Sequence, residues 1–532
     1  MSVRSASAGE FLLSGFGILG GGVVVALATD LALTQLSVAK FAFILGGFTL
    51  LIPTMALKNP KAFWLFLLAL STPFDISKML SSGLVDPQSL VDSYGMPASG
   101  TVSLELYLTD VVLLAMLPPW LARVCMRQQS FYFPSIGYLF LFYLVWALLV
   151  SLINAESFYL SIVELGRQAL YFLTFVYLIN NVATRLQFRT VVVAVFVGFI
   201  IGAGSVITFF EMGIGTDYIA FASLRDQSVT SEKSPLTAKP GKTPVTQNLT
   251  VSNTQGNLSE YRGHGSAIKR SQGIFRHPAV AASWCGLCLP LVLAYLVAAR
   301  KNRDRILFLT VFVFGITGLV LTFSRAGLIG FMVGTLVCVA VGGWSGLIPR
   351  RVLVVSAGIL TLAAALSLPF LVAYLTAREE SYSMRFDLFW AVLQGYWEHP
   401  ILGVGLNNST AAMKTGRQVL RDLGVKIPAW ESADNHYLAL LTDLGPLGFI
   451  LFFAFFAKIV MIALRAMREV APDMKPLLVG IVGGLASLAT QDLADDALAP
   501  HAISAMVWLF AALIVASARY CCPASRSSAS TS

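Results

Sequence analysis

Residues 307–344 read LFLTVFVFGITGLVLTFSRAGLIGFMVGTLVCVAVGGW and contain one charged side chain, Arg325. An apolar helix needs about 20 residues to cross the hydrocarbon core of a bilayer. This stretch is too long for one crossing and long enough for two, so the sequence predicts a turn at Ser324-Arg325. A turn there places Arg325 at the membrane surface, whereas an arginine at the bilayer centre would cost about 2.5–3.5 kcal/mol on insertion scales.

The composition extends this conclusion to the whole chain. Hydrophobic residues make up 56% and charged residues 12%, with a mean hydropathy of +0.75, whereas soluble domains carry about 25% charged residues. We therefore predict an all-α, polytopic transmembrane helical bundle of about 14 spans. The spans are predicted near 11–28, 38–57, 62–78, 104–122, 135–153, 160–179, 190–210, 277–299, 306–323, 326–343, 352–376, 437–464, 477–491 and 502–518.

The basic residues indicate the orientation of the bundle. The net charge of +9 is spread over short clusters between apolar runs, such as 300–305 and 350–351, rather than gathered on one nucleic-acid-binding surface. With the predicted spans, these clusters all fall on one side. By the positive-inside rule that side is the cytoplasm, and it holds both termini.

His436 is a candidate general base. It follows Asp434 and Asn435, which are good N-cap types, and it heads HYLALLTDLG, which ends at Gly445-Pro446. The positive end of a helix dipole disfavours imidazolium, so the position favours a neutral imidazole that can accept a proton. The alternative is an interfacial histidine that only hydrogen-bonds a loop.

Arginines are unexpectedly frequent on the predicted outer side. Since the positive-inside rule disfavours them there, their number indicates an anionic partner, and several guanidinium groups together can hold a pyrophosphate without a metal. The alternative is that most are membrane anchors or loop ion pairs. The outer arginines are Arg270, Arg276, Arg325, Arg378, Arg385, Arg417 and Arg421.

Other motifs give no support for a metal or a nucleotide cofactor. Cys285 and Cys288 form a CxxC inside an apolar run with no second pair, which is typical of packing. The acidic residues at 492–496 precede His501, but clustered acids are common in outer loops. The glycines at 403–405 follow no predicted strand, so they are not a dinucleotide fingerprint.

Three segments together resemble the bacterial O-antigen ligase/polymerase family: LTFSRAGLIGF at 321–331, MRFDLFWAVLQGYWEHPILGVGLNN at 384–408 and NHYLALLTDLGPLGFILFF at 435–453. KRSQGIFRHPAVAA at 269–282 is similar to the family's stretch just before them. The resemblance implies a GT-C-type inverting glycosyltransferase that uses neither a nucleotide sugar nor a metal. Such an enzyme transfers a polyprenyl-pyrophosphate-linked oligosaccharide to an acceptor hydroxyl at the outer face of the bacterial inner membrane.

The resemblance also implies residue roles and an organisation of the chain. His436 is the expected base, Arg325 and Arg270 the expected pyrophosphate ligands, and Arg276 and Arg385 weaker candidates for the same role. The expected parts are N-terminal transmembrane helices (1–225), a flexible polar periplasmic insertion (226–269), transmembrane helices carrying outer-face arginines (270–376), a large periplasmic loop with an amphipathic helix (377–435), C-terminal transmembrane helices (436–518) and a cytoplasmic tail (519–532).

Three functions remain open at this point. A polysaccharide polymerase would use another lipid-linked repeat as the acceptor, and an O-antigen ligase would use a lipid A-core sugar. A flippase and a chain-length regulator would be partners in the same pathway. A transporter for a small anion or a lipid-linked sugar is the alternative from another class, but it would be expected to hide charges near the membrane midplane in two repeated halves.

Overall fold

The computed structural model describes residues 60–79, 105–213, 216–220, 267–349, 379–422 and 435–521. Its helices are α1 (Pro60–Ser71), α2 (Leu108–Cys125), α3 (Ser135–Asn154), α4 (Phe158–Asn181), α5 (Arg185–Met212), α6 (Pro278–Ala298), α7 (Asn302–Leu321), α8 (Arg325–Trp344), α9 (Glu379–Glu398), α10 (Ser409–Asp422), α11 (His436–Glu469), α12 (Lys475–Gln491) and α13 (His501–Cys521). Two antiparallel ribbons pair β1 (Ser77–Met79) with β2 (Glu105–Tyr107), and β3 (Thr216–Ala220) with β4 (Ala267–Ser271).

Within these ranges, nine helices are long and apolar enough to cross a membrane, namely α2 to α8, α11 and α13. This confirms a mostly helical, multi-pass membrane protein, with two short ribbons added. The predicted spans 11–28, 38–57 and 352–376 and the insertion 226–269 lie outside the described residues. The count of about 14 spans and the GT-C type therefore stay predictions.

Two predicted spans are shorter than expected in the described part. The span predicted at 62–78 corresponds to α1, which stops at Ser71 after 12 residues and is followed by Pro73 and strand β1. Helix α12 has 17 residues, or about 25 Å at 1.5 Å per residue, against a hydrocarbon core of about 30 Å.

The described loops gather at two ends of the bundle. At the end that carries His436, called the His436 end below, the α3–α4 turn contacts the loop after α9, because Asn154 Nδ2 donates to the Gly403 carbonyl at 2.8 Å. At the opposite end, Lys475 donates to the Ser345 carbonyl at 2.8 Å. Arg468 lies 4.7 Å from the ring centre of Trp344, and Arg185 pairs with Asp473 at 3.7 Å. Three basic residues from the predicted cytoplasmic clusters therefore lie at this opposite end.

Helix α13 lies in the middle of the bundle, with 94% of its most apolar stretch buried. Its Trp508 packs against Phe140 and Phe455, at ring-centre distances of 4.6 and 5.2 Å. These aromatic contacts fix the helix against α3 and α11. Since α13 begins at His501, they also fix one end of the α12–α13 loop.

Glycines let three helices approach backbone to backbone. A Cβ atom added at Gly334 of α8 would lie 2.6 Å from the Gly483 carbonyl oxygen of α12, and one added at Gly484 would lie 2.2 Å from the Leu287 carbonyl oxygen of α6. Small residues at such contacts are the usual way that membrane helices pack closely. The contact holds the start of α8, with Arg325, beside the last turns of α12.

Helices α9 and α10 form a packed hairpin at the His436 end. The sequence predicted an amphipathic helix with its apolar face on the membrane, and the helix is confirmed. Leu388 and Val392, however, are fully buried against Met413 of α10, whereas Phe386 and Trp397 stay 69% and 66% exposed. One part of the apolar face of α9 therefore packs against α10, and the other part is exposed.

We predict that Gly484→Ala destabilises the protein by about 1–3 kcal/mol, because the added methyl group would clash with the backbone of α6. The measurement is the thermal midpoint of the purified protein in detergent. The control is Gly166→Ala on α4, where the added Cβ would meet nothing within 4 Å. Equal midpoints for the two variants would contradict the close packing.

Candidate functional site

Helix α11 begins at His436 in the way that the sequence predicted. The side-chain oxygen of Asn435 accepts a hydrogen bond from the Leu438 backbone N–H at 3.0 Å and so caps the first turn. Gly445 has φ 65° and ψ −175°, which kinks the helix before Pro446. The 24 residues after the kink span about 36 Å, enough to cross the membrane alone. His436 therefore belongs to a short helix that precedes the spanning segment.

The His436 imidazole is held by a carboxylate 60 residues further along the chain. Its Nδ1 lies 2.8 Å from Oδ1 of Asp496. Both side chains are mostly buried, with 18% and 13% of their surfaces exposed. The other ring nitrogen, Nε2, is buried and has no hydrogen-bond partner among the described residues. Asp496 thus orients the ring and leaves Nε2 for a further partner.

The acidic neighbours decide the charge of His436. Burial disfavours the charged ring, but the hydrogen bond to Asp496 and the charges of Asp496 and Asp492 outweigh it and raise the pKa of His436 to about 9. The sequence-based expectation of a neutral histidine, argued from the helix dipole, is therefore wrong. A helix end carries about half a unit charge, less than the two nearby carboxylates together. Burial raises the pKa of Asp492 to about 7, against the opposing charge of His436.

The α12–α13 loop, residues 492–500, connects His436 with Arg385. The Asp492 carbonyl accepts from the His436 backbone N–H at 3.3 Å. The Leu493 carbonyl accepts from Asn435 Nδ2 at 2.9 Å. Arg385 of α9 donates to the Ala494 carbonyl. One loop therefore fixes both the candidate base and a candidate phosphate ligand, although Arg385 is engaged by a backbone oxygen.

Arg325 and Arg270 meet at the predicted turn, which the structure confirms. Helix α7 ends at Leu321, and α8 begins at Arg325 with Ser324 as its N-cap. Arg270 of β4 donates from Nε to the Thr322 carbonyl at 3.0 Å. Both arginines are half-buried. Two guanidinium groups beside the positive end of a helix make a favourable environment for an anion.

Arg276 has a different environment. Its Nε lies 2.7 Å from Asp75, and its Nη2 lies 2.9 Å from Glu105 and 3.1 Å from the Ser77 hydroxyl. The guanidinium is 55% exposed. Arg276 is therefore held at the β1–β2 ribbon by two carboxylates, which compete with any phosphate for the same donors.

Sequence reasoning missed a buried arginine beside this ribbon. Arg167 of α4 is 4% exposed. It lies 3.8 Å from Asp110, donates to the Glu105 carbonyl at 2.9 Å and contacts Nδ1 of His501 at 3.3 Å. The signal was available, because a charged residue inside a predicted span, here 160–179, has functional or structural importance by default. Its contacts link the ribbon that holds Arg276 to the end of the 492–500 loop.

All five candidate residues therefore lie at the His436 end. Helix α12 connects the turn that carries Arg325 with the loop that carries Asp496. A Cβ atom added at Gly330 of α8 would lie 2.6 Å from the Ser487 carbonyl oxygen of α12. Ser487 is one turn before the 492–500 loop. Gln491 at the end of α12 donates to the Ala279 carbonyl of α6 at 3.2 Å.

The sequence model of the O-antigen ligase family matches residues 308–453. That part of the chain is therefore similar to the O-antigen ligase family. The match confirms the resemblance inferred from the sequence motifs, and comparison with curated proteins gives no match. The matched residues include Arg325, Arg385 and His436, whereas Arg270 and Arg276 precede them. The family indicates membrane glycan transfer of the ligase or polymerase type, with a lipid-linked glycan donor and a glycan acceptor.

We predict that the His436 ring stays protonated up to about pH 9, because Asp496 stabilises the charged form. In Asp496→Asn the pKa of His436 should fall to about 6.5 or below. Burial, which lowers the pKa, remains, whereas the carboxylate that contributes most to raising it is lost. Nitrogen-15 NMR of histidine-labelled protein can follow this, because the chain has only five histidines. The exposed carboxylate of Asp422 offers the control Asp422→Asn, which should leave the value near 9. A wild-type value near 6.5 would contradict the pairing.

Proposed function

We propose that the protein is a membrane glycosyltransferase that moves an oligosaccharide from a polyprenyl-pyrophosphate carrier to a glycan acceptor. The reaction takes place at the periplasmic face of the bacterial inner membrane, and both termini of the chain lie in the cytoplasm. The role that we prefer is that of an exopolysaccharide or O-antigen polymerase. The observation that carries the proposal is the His436–Asp496 pair, whose Nε2 has no partner among the described residues, at the same end of the bundle as the arginine-bearing turn. Residues 308–453, which include His436 and this turn, match the O-antigen ligase family.

In this proposal His436 acts as the general base. Its Nε2 accepts the proton of the acceptor hydroxyl as the oxygen attacks the anomeric carbon. Asp496 accepts a hydrogen bond from Nδ1–H at 2.8 Å, so it holds the ring and stabilises the imidazolium that forms. A general base contributes about 100-fold to 10,000-fold. Because Asp496 and Asp492 raise the pKa of His436 to about 9, the neutral form is a minor but strongly basic species at neutral pH.

Arg325 and Arg270 stabilise the leaving group. As the glycosidic bond breaks, negative charge grows on the pyrophosphate, and fixed donors aimed at that charge lower the barrier. The Thr322 carbonyl fixes Arg270 at the turn that begins α8 with Arg325, so both cations are positioned before the donor arrives. They supply the charge neutralisation without a metal ion.

Arg385 and Arg276 take supporting parts in the proposal. Arg385 donates a hydrogen bond to the loop that also carries Asp496. A phosphate bound by Arg385 would therefore lie close to the loop that positions the base. Arg276 is half exposed but shared with Asp75 and Glu105. It would have to exchange one carboxylate for a phosphate oxygen, so we expect it to contribute less than Arg325.

Direct attack by the acceptor inverts the anomeric carbon. Such a displacement needs the base on the acceptor side and the cations on the leaving-group side of the sugar. In the structure His436 and Asp496 are on α11 and the 492–500 loop, whereas Arg325 and Arg270 are on α8 and β4. Separate elements therefore carry the candidate base and the candidate phosphate ligands, an arrangement that is compatible with inversion.

We predict that His436→Ala lowers transfer from purified lipid-linked oligosaccharide by about 100-fold or more, since the proton acceptor is removed. Arg325→Ala should lower it by about 100-fold, and Arg325→Lys by less, because lysine keeps the charge but not the forked donors. The measurement is product formation in detergent or nanodiscs without any ion gradient.

Arg421→Ala is the matched control for the arginine variants. Arg421 is an exposed arginine on the α9–α10 hairpin, and its Nη1 donates a hydrogen bond to Oε1 of Gln418 at 3.3 Å. It should keep wild-type transfer. Full activity in His436→Ala would eliminate the base assignment, and no transfer by the wild type to either acceptor class would favour a transporter.

The ligase alternative is favoured by the description of the matching family. Surface glycan from a deletion strain separates the two functions. For a polymerase we predict single repeats on the surface, because each unit is transferred without being extended. Loss of ligation would instead leave long chains that are not attached to lipid A-core. The second pattern would overturn the polymerase assignment and leave the glycosyltransferase proposal in place.

A further inference from the structure

A cavity of about 180 Å³ opens at the His436 end, apart from the catalytic residues. It lies between the α3–α4 turn, the end of α9 and the first turns of α10. Polar side chains that line it are Asn154, Glu156, Glu398, His399, Asn408 and Lys414.

The lining combines apolar and polar surface. Val404, Ala411 and Ala412 contribute small apolar groups, with Val404 and Ala411 nearly buried. Glu398 and His399 are exposed, and neither side chain has a hydrogen-bond partner among the described residues. A sugar ring has the same mixture of surfaces, because its C–H groups are apolar and its hydroxyl groups donate and accept hydrogen bonds.

The charge of the cavity favours a ligand without negative charge. The charges of Glu156 and Lys414 cancel in an ion pair, which leaves the carboxylate of Glu398 on the cavity wall. A phosphate or a uronic acid would therefore meet repulsion, whereas a neutral or amino sugar would not.

The cavity is rigidly connected to the candidate base. Asn408, on its wall, donates from its backbone N–H to Oδ1 of Asp443 at 3.0 Å, and its side-chain oxygen accepts from the Ser157 backbone N–H at 2.9 Å. Asp443 follows His436 by seven residues on the same short helix, or about 10 Å at 1.5 Å per residue. The cavity wall is therefore attached about two helical turns from the candidate base, a position that suits a sugar further along the same glycan.

We propose that this cavity is a glycan-binding subsite that holds a neutral or amino sugar ring distant from the bond being formed, with Glu398 and His399 as its hydrogen-bonding contacts. The proposal rests on the proposed function, since the glycan is the one being transferred. The ring can belong to the lipid-linked donor or to the acceptor chain, because both present the same chemistry.

The first test measures binding without catalysis. The probe is the oligosaccharide that mild acid releases from the lipid-linked donor, observed by saturation-transfer NMR with purified protein in nanodiscs. The double variant Glu398→Gln/His399→Ala should weaken binding about five-fold or more, as expected for the loss of one or two hydrogen bonds. Asp422→Asn, which removes an exposed carboxylate from the far end of α10, should bind as the wild type does.

The second test compares transfer kinetics. A KM increase of about five-fold for the acceptor, with kcat within about two-fold, assigns the ring to the acceptor chain. The same increase for the lipid-linked donor assigns it to the donor. Unchanged binding and unchanged KM values in a double variant with wild-type thermal stability would overturn the subsite.

The two proposals fail in different ways. If the wild type shows no transfer but the cavity variant loses oligosaccharide binding, the glycosyltransferase proposal fails and the subsite stands. If His436→Ala abolishes transfer and the cavity variant binds and reacts as the wild type does, only the subsite fails. A uronic acid methyl glycoside that binds as well as a neutral one would contradict the charge argument.

Discussion

The site depends on how closely α12 approaches its neighbours. Helix α12 packs against the backbones of α6 and α8 because Gly484 and Gly334 carry no side chains, and it ends where the 492–500 loop begins. That loop then supplies Asp496 to the His436 ring at 2.8 Å. A shift of α12 would move the carboxylate away from the imidazole and the last turns of α12 away from Arg325. Helix packing and proton-transfer geometry are therefore coupled in this bundle.

The electrostatics of the His436 end follow from burial. Because the His436 ring is largely removed from water, the charges of Asp496 and Asp492 act on it through a lower effective dielectric and raise its pKa to about 9. The same reasoning explains Arg167, which is buried with Asp110, a carbonyl and His501 as neighbours. Arg270, Arg276 and Arg385 are likewise each held by a carbonyl or carboxylate partner, which fixes the positions of their guanidinium groups.

Local features of the site were predictable from the sequence, and its long-range contacts were not. The turn at Ser324-Arg325 followed from apolar length and one charge, and the short helix at His436 from its N-cap and the Gly445-Pro446 stop. The Asp496 partner was not predictable, because the acidic residues at 492–496 lie about 60 residues away in sequence and only tertiary packing brings one of them to the ring. The carboxylates that hold Arg276 also come from distant positions in the sequence. The packing of α9 against α10 was missed because an apolar face on α9 is equally compatible with a membrane surface.

The central claim is that His436, paired with Asp496, removes the acceptor proton. The pH dependence of kcat/KM for glycan transfer tests it most directly, because this parameter reports the pKa of the free enzyme. A group that must be deprotonated and whose pKa is raised to about 9 gives a rate that increases with pH and levels off above about pH 9. In Asp496→Asn the midpoint should move to about pH 6.5 or below, with a lower plateau because the imidazolium loses its stabilising charge. A wild-type profile with no such rise, or a midpoint that does not move in Asp496→Asn, would contradict the account.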